Sequence, residues 1–396
     1  MFKGIPAVTH VGNSRGPYVY MFFVTYYFAA VLLISPVIVR FDEKKQRFAV
    51  KRCNVFQQIG CLMVQILSSI SAVKMLQGMW SHMVANPGYI GAYFDFFNGV
   101  ILHCYSITII YFNWFRLEKF DDFLKSLQEN LLVRQSNMAL WKAKLLPAFF
   151  WCLTFYMAYI WSLIVFQIQF SSWDGFVASQ NSAVMELFGQ RAVFLTPTGL
   201  GILAIIGKFY HGFYIHLPHN VFGTVGLFCA YYLAKEFSKM ILKEEDVSPE
   251  VLKLYKDYKI TLKSVNAILT PFNLHFVSMT LTYHSIHLFD ALNTTVPLWK
   301  INTYLYIMYL ANFLYLPVKT LLIVKQNMKK LLWNNQNYRN LSMGQLKVIL
   351  DDFQSDSLAV KGGRSFTINS MFSGKVIQQL IYYSMLNTVA NQAIAI

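Results

Sequence analysis

Charge is what this sequence lacks most. Of 396 residues only 13% are Asp, Glu, Lys or Arg, and just 19 of those are acidic, whereas an average soluble protein carries roughly a quarter charged residues. A soluble fold has too little apolar interior to hide the rest, since 56% of the chain is hydrophobic. Cysteine is equally sparse. The five present (Cys53, Cys61, Cys104, Cys152, Cys229) fall inside or at the edges of apolar segments, which excludes an extracellular disulfide framework. There is no glycine-rich phosphate loop, no nucleophile elbow, no internal repeat and no low-complexity tract. Lys3 and Arg15 precede an apolar run, but no small-residue cleavage site closes it, so no removable signal peptide is expected.

What fills the chain instead is long apolar runs and aromatic rings, 34 Phe and 24 Tyr among them. About 20 apolar residues cross roughly 30 Å of hydrocarbon. Runs of that kind lie at about 54–78, 91–113, 145–168, 193–240, 264–289, 302–325 and 368–391, with an eighth at 18–39. The net charge of +15 would suggest nucleic acid in a soluble protein, but the charges sit in alternate gaps. Residues 1–53, 114–144, 235–263 and 325–367 hold eight, six, seven and seven Lys or Arg. The gaps 79–90, 169–192, 290–301 and 392–396 hold zero, one, one and zero. Cytoplasmic loops retain Lys and Arg, so the expected architecture is an all-α membrane protein of seven transmembrane helices. Its N-terminus is cytoplasmic and its C-terminus extracellular.

In domain terms, 1–53 is expected to be a cytoplasmic segment with an interfacial or re-entrant run at 18–39, 54–391 a seven-span domain and 392–396 an extracellular tail. The stretch 193–240 is read as one crossing kinked near Pro197 or Pro218, because two crossings would invert the charge alternation downstream. Apolar residues at helical spacing in 243–264 and 341–357 predict cytoplasmic helical extensions. Asn293-Thr294-Thr295 is a glycosylation sequon in an expected outer loop.

The order of these features resembles the insect gustatory receptor family and its odorant-receptor relatives. Val37 to Phe48 is similar to the family's opening before its first span, Trp114-Phe-Arg-Leu-Glu-Lys-Phe-Asp-Asp122 looks like the segment after its second, and Leu217-Pro218 looks like the Leu-Pro of its fourth. Tyr382-Tyr383 stands where the family's terminal signature carries Thr-Tyr, while Val389 and Ala390 replace the signature's Gln and Phe. The resemblance implies a divergent, gustatory-receptor-like chemoreceptor at the plasma membrane. It further implies a homo- or heterotetramer with related subunits, a ligand-gated cation channel whose last span lines one central pore. Lipid and a small organic ligand would be its partners, with no nucleic acid, cofactor or metal.

Two constellations fit that reading. In the last span Ser384, Asn387, Thr388 and Asn391 fall at i, i+3, i+4 and i+7, and their amides and hydroxyls could replace part of an ion's hydration shell, with Leu380 one turn further in as a hydrophobic constriction. The same groups could equally hydrogen-bond neighbouring helices. In the outer halves of the spans, Tyr93, Asp95, Tyr159, Trp161, Thr280, Tyr283, His284, His287, Tyr304 and Tyr306 supply the rings and convergent polar groups of a small-molecule pocket. His211, His216 and His219 repeat no strong metal motif, since Pro218 interrupts their shared face. A G-protein-coupled receptor, of opposite orientation, and a small-solute transporter are the alternatives.

Overall fold

The structure, a computed structural model, describes residues 16–88, 90–134, 136, 138–169, 175, 178, 197–244, 247–281, 288, 297–334 and 341–394. It is mostly helical. In chain order the elements are α1 (Tyr18–Val31), β1 (Val37–Asp42), β2 (Arg47–Arg52), α2 (Val55–Ala85), α3 (Ile90–Phe115), α4 (Leu117–Glu129), α5 (Leu131–Arg134) and α6 (Leu140–Gln169). They continue as α7 (Pro197–Leu217), a π turn (Pro218–Gly223), α8 (Thr224–Ile241), α9 (Pro249–Met279), α10 (Pro297–Trp333), α11 (Met343–Gln354), β3 (Lys361–Gly362), β4 (Phe366–Thr367) and α12 (Ser370–Ile394). Among the described residues, three helical stretches are long and apolar enough to cross a bilayer: Val55–Ala85, Leu140–Ile160 and Lys300–Trp333.

The two antiparallel hairpins correct the all-α expectation. The apolar run 18–39 is divided because Leu33 takes a left-handed conformation (φ 55°) and Pro36, lacking an N–H, cannot continue a helix. After it, the apolar Val37-Ile38-Val39 gives way to alternation at Arg40, Phe41 and Asp42, and Asp42 Oδ1 accepts from Lys44 N (3.1 Å) and Lys45 N (3.3 Å) to close the turn. The hairpin's edge is tied to α4 by side chains. Gln128 accepts from Phe48 N (2.7 Å) and donates to Phe48 O (2.9 Å), while Arg47 grips Asp121 with Nη2–Oδ2 at 2.6 Å.

α1 is apolar on every side and correspondingly buried, with Tyr18, Val19 and Met21 fully covered. Its 14 residues extend about 21 Å at 1.5 Å per residue, short of the roughly 30 Å of a bilayer core. Edge-on rings clamp it against α4, with Phe22 and Phe123 5.0 Å apart. α4 presents Phe120, Phe123, Leu124 and Leu127 on one face, at i, i+3, i+4 and i+7. The π turn begins at Pro218, where the missing N–H and the ring's clash with the preceding turn force the helical ladder open.

α9 and α10, at 31 and 37 residues, are about 46 and 55 Å long and outreach a bilayer. Their far ends meet α11 and the β3–β4 hairpin in a polar knot. Lys259 donates to both oxygens of Asp352 (2.5 and 2.7 Å), which also accepts from Tyr255 (3.0 Å) and Ser357 (2.6 Å). Lys325 pairs with Asp356 at 2.6 Å, and Asn369, which caps α12, donates to the same carboxylate at 2.9 Å. Asn266 and Asn273 of α9 bond to the backbone of Ala359 and Lys361 at 3.0 Å each. Burial pushes Asp352 and Asp356 up, but their lysine and neutral donors outweigh it and hold both below the usual carboxylate range.

Candidate functional site

One pair of the expected pocket residues is brought together. Tyr306 on α10 and Thr280 at the end of α9 are both buried, and the phenol donates to the threonine hydroxyl at 2.7 Å while that hydroxyl donates to Phe276 O at 2.7 Å. Position along each helix explains the pairing, since Thr280 follows Phe276 by one turn and Phe276 lies flat against Tyr306, centroids 5.9 Å apart. One turn below, between the π turn and Phe272, Asn273, Phe276, Tyr309 and Phe313, lies a cavity of about 10 Å³. That is room for a single water, far below the roughly 300 Å³ at which small-molecule pockets begin.

The other pocket candidates are placed differently. Tyr159 and Tyr304 point outward, 49% and 60% exposed. Both sit on the side of α6 and α10 away from the buried Ala158, Thr303 and Tyr306, so a chamber inside one protomer does not include them. Tyr93 is exposed and donates to Pro87 O at 3.4 Å, and Asp95 is half-buried. Trp161 lies on α6 with its side chain outside the description, and Tyr283, His284, His287 and the sequon residue Asn293 lie outside the described residues.

In α12 the described members of the polar stripe turn inward. Leu380 and Ser384 continue the buried line of Val376 into the protomer, at 4% and 0% exposure. Within this chain both side chains pack against its own bundle. Asn387, Thr388 and Asn391 lie on the same helix with side chains outside the description. The opposite face is apolar and uncovered, carrying Ile381, Tyr382, Met385, Leu386 and Val389.

One contact was invisible to sequence periodicity. The ring of His211 on α7 lies 4.7 Å from that of His103 on α3. The two are 108 residues apart, and only knowledge of which helices adjoin could have paired them. Among the described residues no group of three or more His, Cys, Asp or Glu is placed to hold a metal.

No family model matches this sequence, and no curated protein is significantly similar to it. Solved structures do match its fold. The insect olfactory receptor OR5 from Machilis hrabei superposes with a TM-score of 0.60 at 15% identity, over 92% of this chain and 97% of that one. The same receptor in complex with eugenol gives 0.55 at 14% identity, over 94% and 99%. Helix order, the short buried first helix and the extended last helices thus assemble, along nearly the whole chain, into the fold of an insect olfactory receptor.

Proposed function

We propose that the chain is a chemosensory receptor subunit, gustatory-receptor-like, which forms a ligand-gated cation channel as a homo- or heterotetramer with related subunits in the plasma membrane. The observation that carries this reading is the near-complete superposition on an olfactory receptor, solved also with eugenol. Lysine and arginine alternation supports seven crossings, cytoplasmic N-terminus and extracellular C-terminus. Small organic ligands would enter beside the Thr280–Tyr306 pair. The outer positions Tyr93, Asp95, Tyr159, Trp161, Tyr283, His284, His287 and Tyr304 are kept as candidates for a pocket wider than one protomer's interior. Since the cavity has room for no more than one water, binding must part α9 from α10, and a ligand opens the channel by favouring that parted state.

The last helix lines the conduit in this proposal, and its two faces make different predictions. If the stripe of Leu380, Ser384, Asn387, Thr388 and Asn391 forms the wall, Asn387→Leu abolishes or alters conduction at normal surface expression. If the uncovered face forms it, Val389→Asn and Met385→Asn change selectivity, and the stripe changes lower expression through lost interhelical bonds of roughly 0.6–2 kcal/mol. The measurement is agonist-evoked current with reversal potentials, normalised to surface protein. Unchanged conductance and selectivity across both sets would remove α12 from the pore and end the channel reading.

A further inference from the structure

His103 and His211 are two imidazoles from separate helices, 93% and 96% buried by their relative exposures of 7% and 4%. Among the described residues neither ring nitrogen of either has a hydrogen-bond partner. An unsatisfied buried polar group is destabilising, and here four nitrogens are left so. The rings face one another at 4.7 Å with planes inclined by 37°. Aromatic packing alone explains such a contact poorly, since two phenylalanines would make it without that cost.

We propose that His103 and His211 form a two-histidine site for a divalent transition-metal cation of the zinc type, bridging α3 and α7. Neutral imidazole is the commonest protein ligand for such ions. With a metal about 2.0–2.1 Å from each ligating nitrogen, each ring centroid stands about 3.2 Å from the ion. The observed 4.7 Å separation then corresponds to a ligand–metal–ligand angle of about 95°. A tetrahedral angle needs about 5.2 Å, so the rings part by only about half an ångström. A linear two-coordinate ion would require about 6.4 Å and does not fit.

Two protein ligands leave an open site. Chloride, hydroxide or water from solution would fill the remaining positions. A bridged ion would fasten α7 to α3 on one side. On the other, α7 already meets α2 closely: a Cβ at Gly207 would lie 2.8 Å from Leu67 O.

The test uses the full-length protein, purified in lipid nanodiscs, with zinc chloride titrated by calorimetry and copper(II) read by electron paramagnetic resonance. The expected result is one zinc equivalent and copper hyperfine structure from two nitrogens. His103→Phe and His211→Phe, which preserve ring packing, should each weaken zinc binding at least about tenfold, equivalent to 1.4 kcal/mol. His216→Phe should leave it unchanged. Gel-filtration profiles matching wild type establish that the variants are folded, and His103→Gln and His211→Gln replace any that are not. Absence of zinc binding to the wild type, or equal binding in either substituted protein, overturns the proposal; both are what a pair merely bridged by water would give.

Discussion

Removing the carboxylate of Asp352 should loosen the base of the bundle more than any other single polar change there. Its side chain is 8% exposed and accepts from Lys259, Tyr255 and Ser357, so Asp352→Ala leaves three donors without their acceptor. Breaking a buried pair by removing one partner costs about 3–5 kcal/mol. Lys259 is 38% exposed and can turn to water, which places the estimate at the lower end, about 3 kcal/mol. The reciprocal change, Lys259→Met, leaves Asp352 with two neutral donors and should cost only about 1–2 kcal/mol. Detergent-solubilised protein heated in steps and assayed for monodisperse material ranks the variants, with Asp352→Asn expected between the two. An Asp352→Ala protein as heat-stable as wild type, or one no weaker than Lys259→Met, would refute the argument that this carboxylate organises the knot.

The same groups set a pH dependence. Asp121, Asp352 and Asp356 are all held below the usual carboxylate range. Their contribution is therefore complete above the unfolded value of about 3.9 and lost as pH falls through the lower folded values. Thermal stability should be insensitive to these groups from pH 8 to 5 and drop below about pH 4; a fall centred near pH 6 would mean other groups dominate. Gly207→Ala should lower surface expression through an overpacking cost of about 1–3 kcal/mol, because the new methyl meets Leu67 O at 2.8 Å, which cannot swing aside. Gly78→Ala meets nothing within 4 Å and should be neutral or stabilising by up to about 1 kcal/mol. Epitope tags at each end should report an inner N-terminus and outer C-terminus, and surface labelling of the N-terminal tag alone would reverse the proposed orientation. Asn293→Gln should remove a glycosidase-sensitive mass shift, whereas loss of such a shift in Asn340→Gln, at a second sequon Asn340-Leu341-Ser342 on the expected inner side, would place the last loops on the other side.

Helix positions were largely legible because apolar length and 3.6-residue spacing are local properties. α3, α6, α10 and α12 lie where hydropathy alone puts them. The β1–β2 hairpin was not, since Val37 to Val39 completes an apolar run whose helical part ends at Val31, and composition does not reveal where the period changes from 3.6 to 2. The kink expected near Pro197 or Pro218 is a π turn starting at Pro218. Within it Asn220 donates to Met157 Sδ at 3.2 Å, a contact that no spacing encodes. Spacing puts Leu380 and Ser384 on one face of α12, but the direction of that face is set by the bundle, and Ser384 faces inward. Tyr306 and Thr280 were both singled out for the pocket, but their mutual hydrogen bond depends on the crossing of α9 and α10, which no spacing encodes.

The π turn makes the rod from Pro197 to Ile241 unequal in its tolerance of length changes. Within Pro218–Gly223 the helix already carries about one residue more than an α-helix needs for the same rise. Deleting one residue there lets the segment close into regular α-helix, so that Cys229, Leu233 and Phe237 keep their buried faces. The same deletion in α8 has no slack to consume. It turns everything beyond it by about 100°, taking Phe237 away from Tyr258, against which its ring is stacked at 5.2 Å. Evolutionary drift in length should therefore collect at this turn and spare the helix that follows, making 218–223 the point where related chains fall out of register with one another.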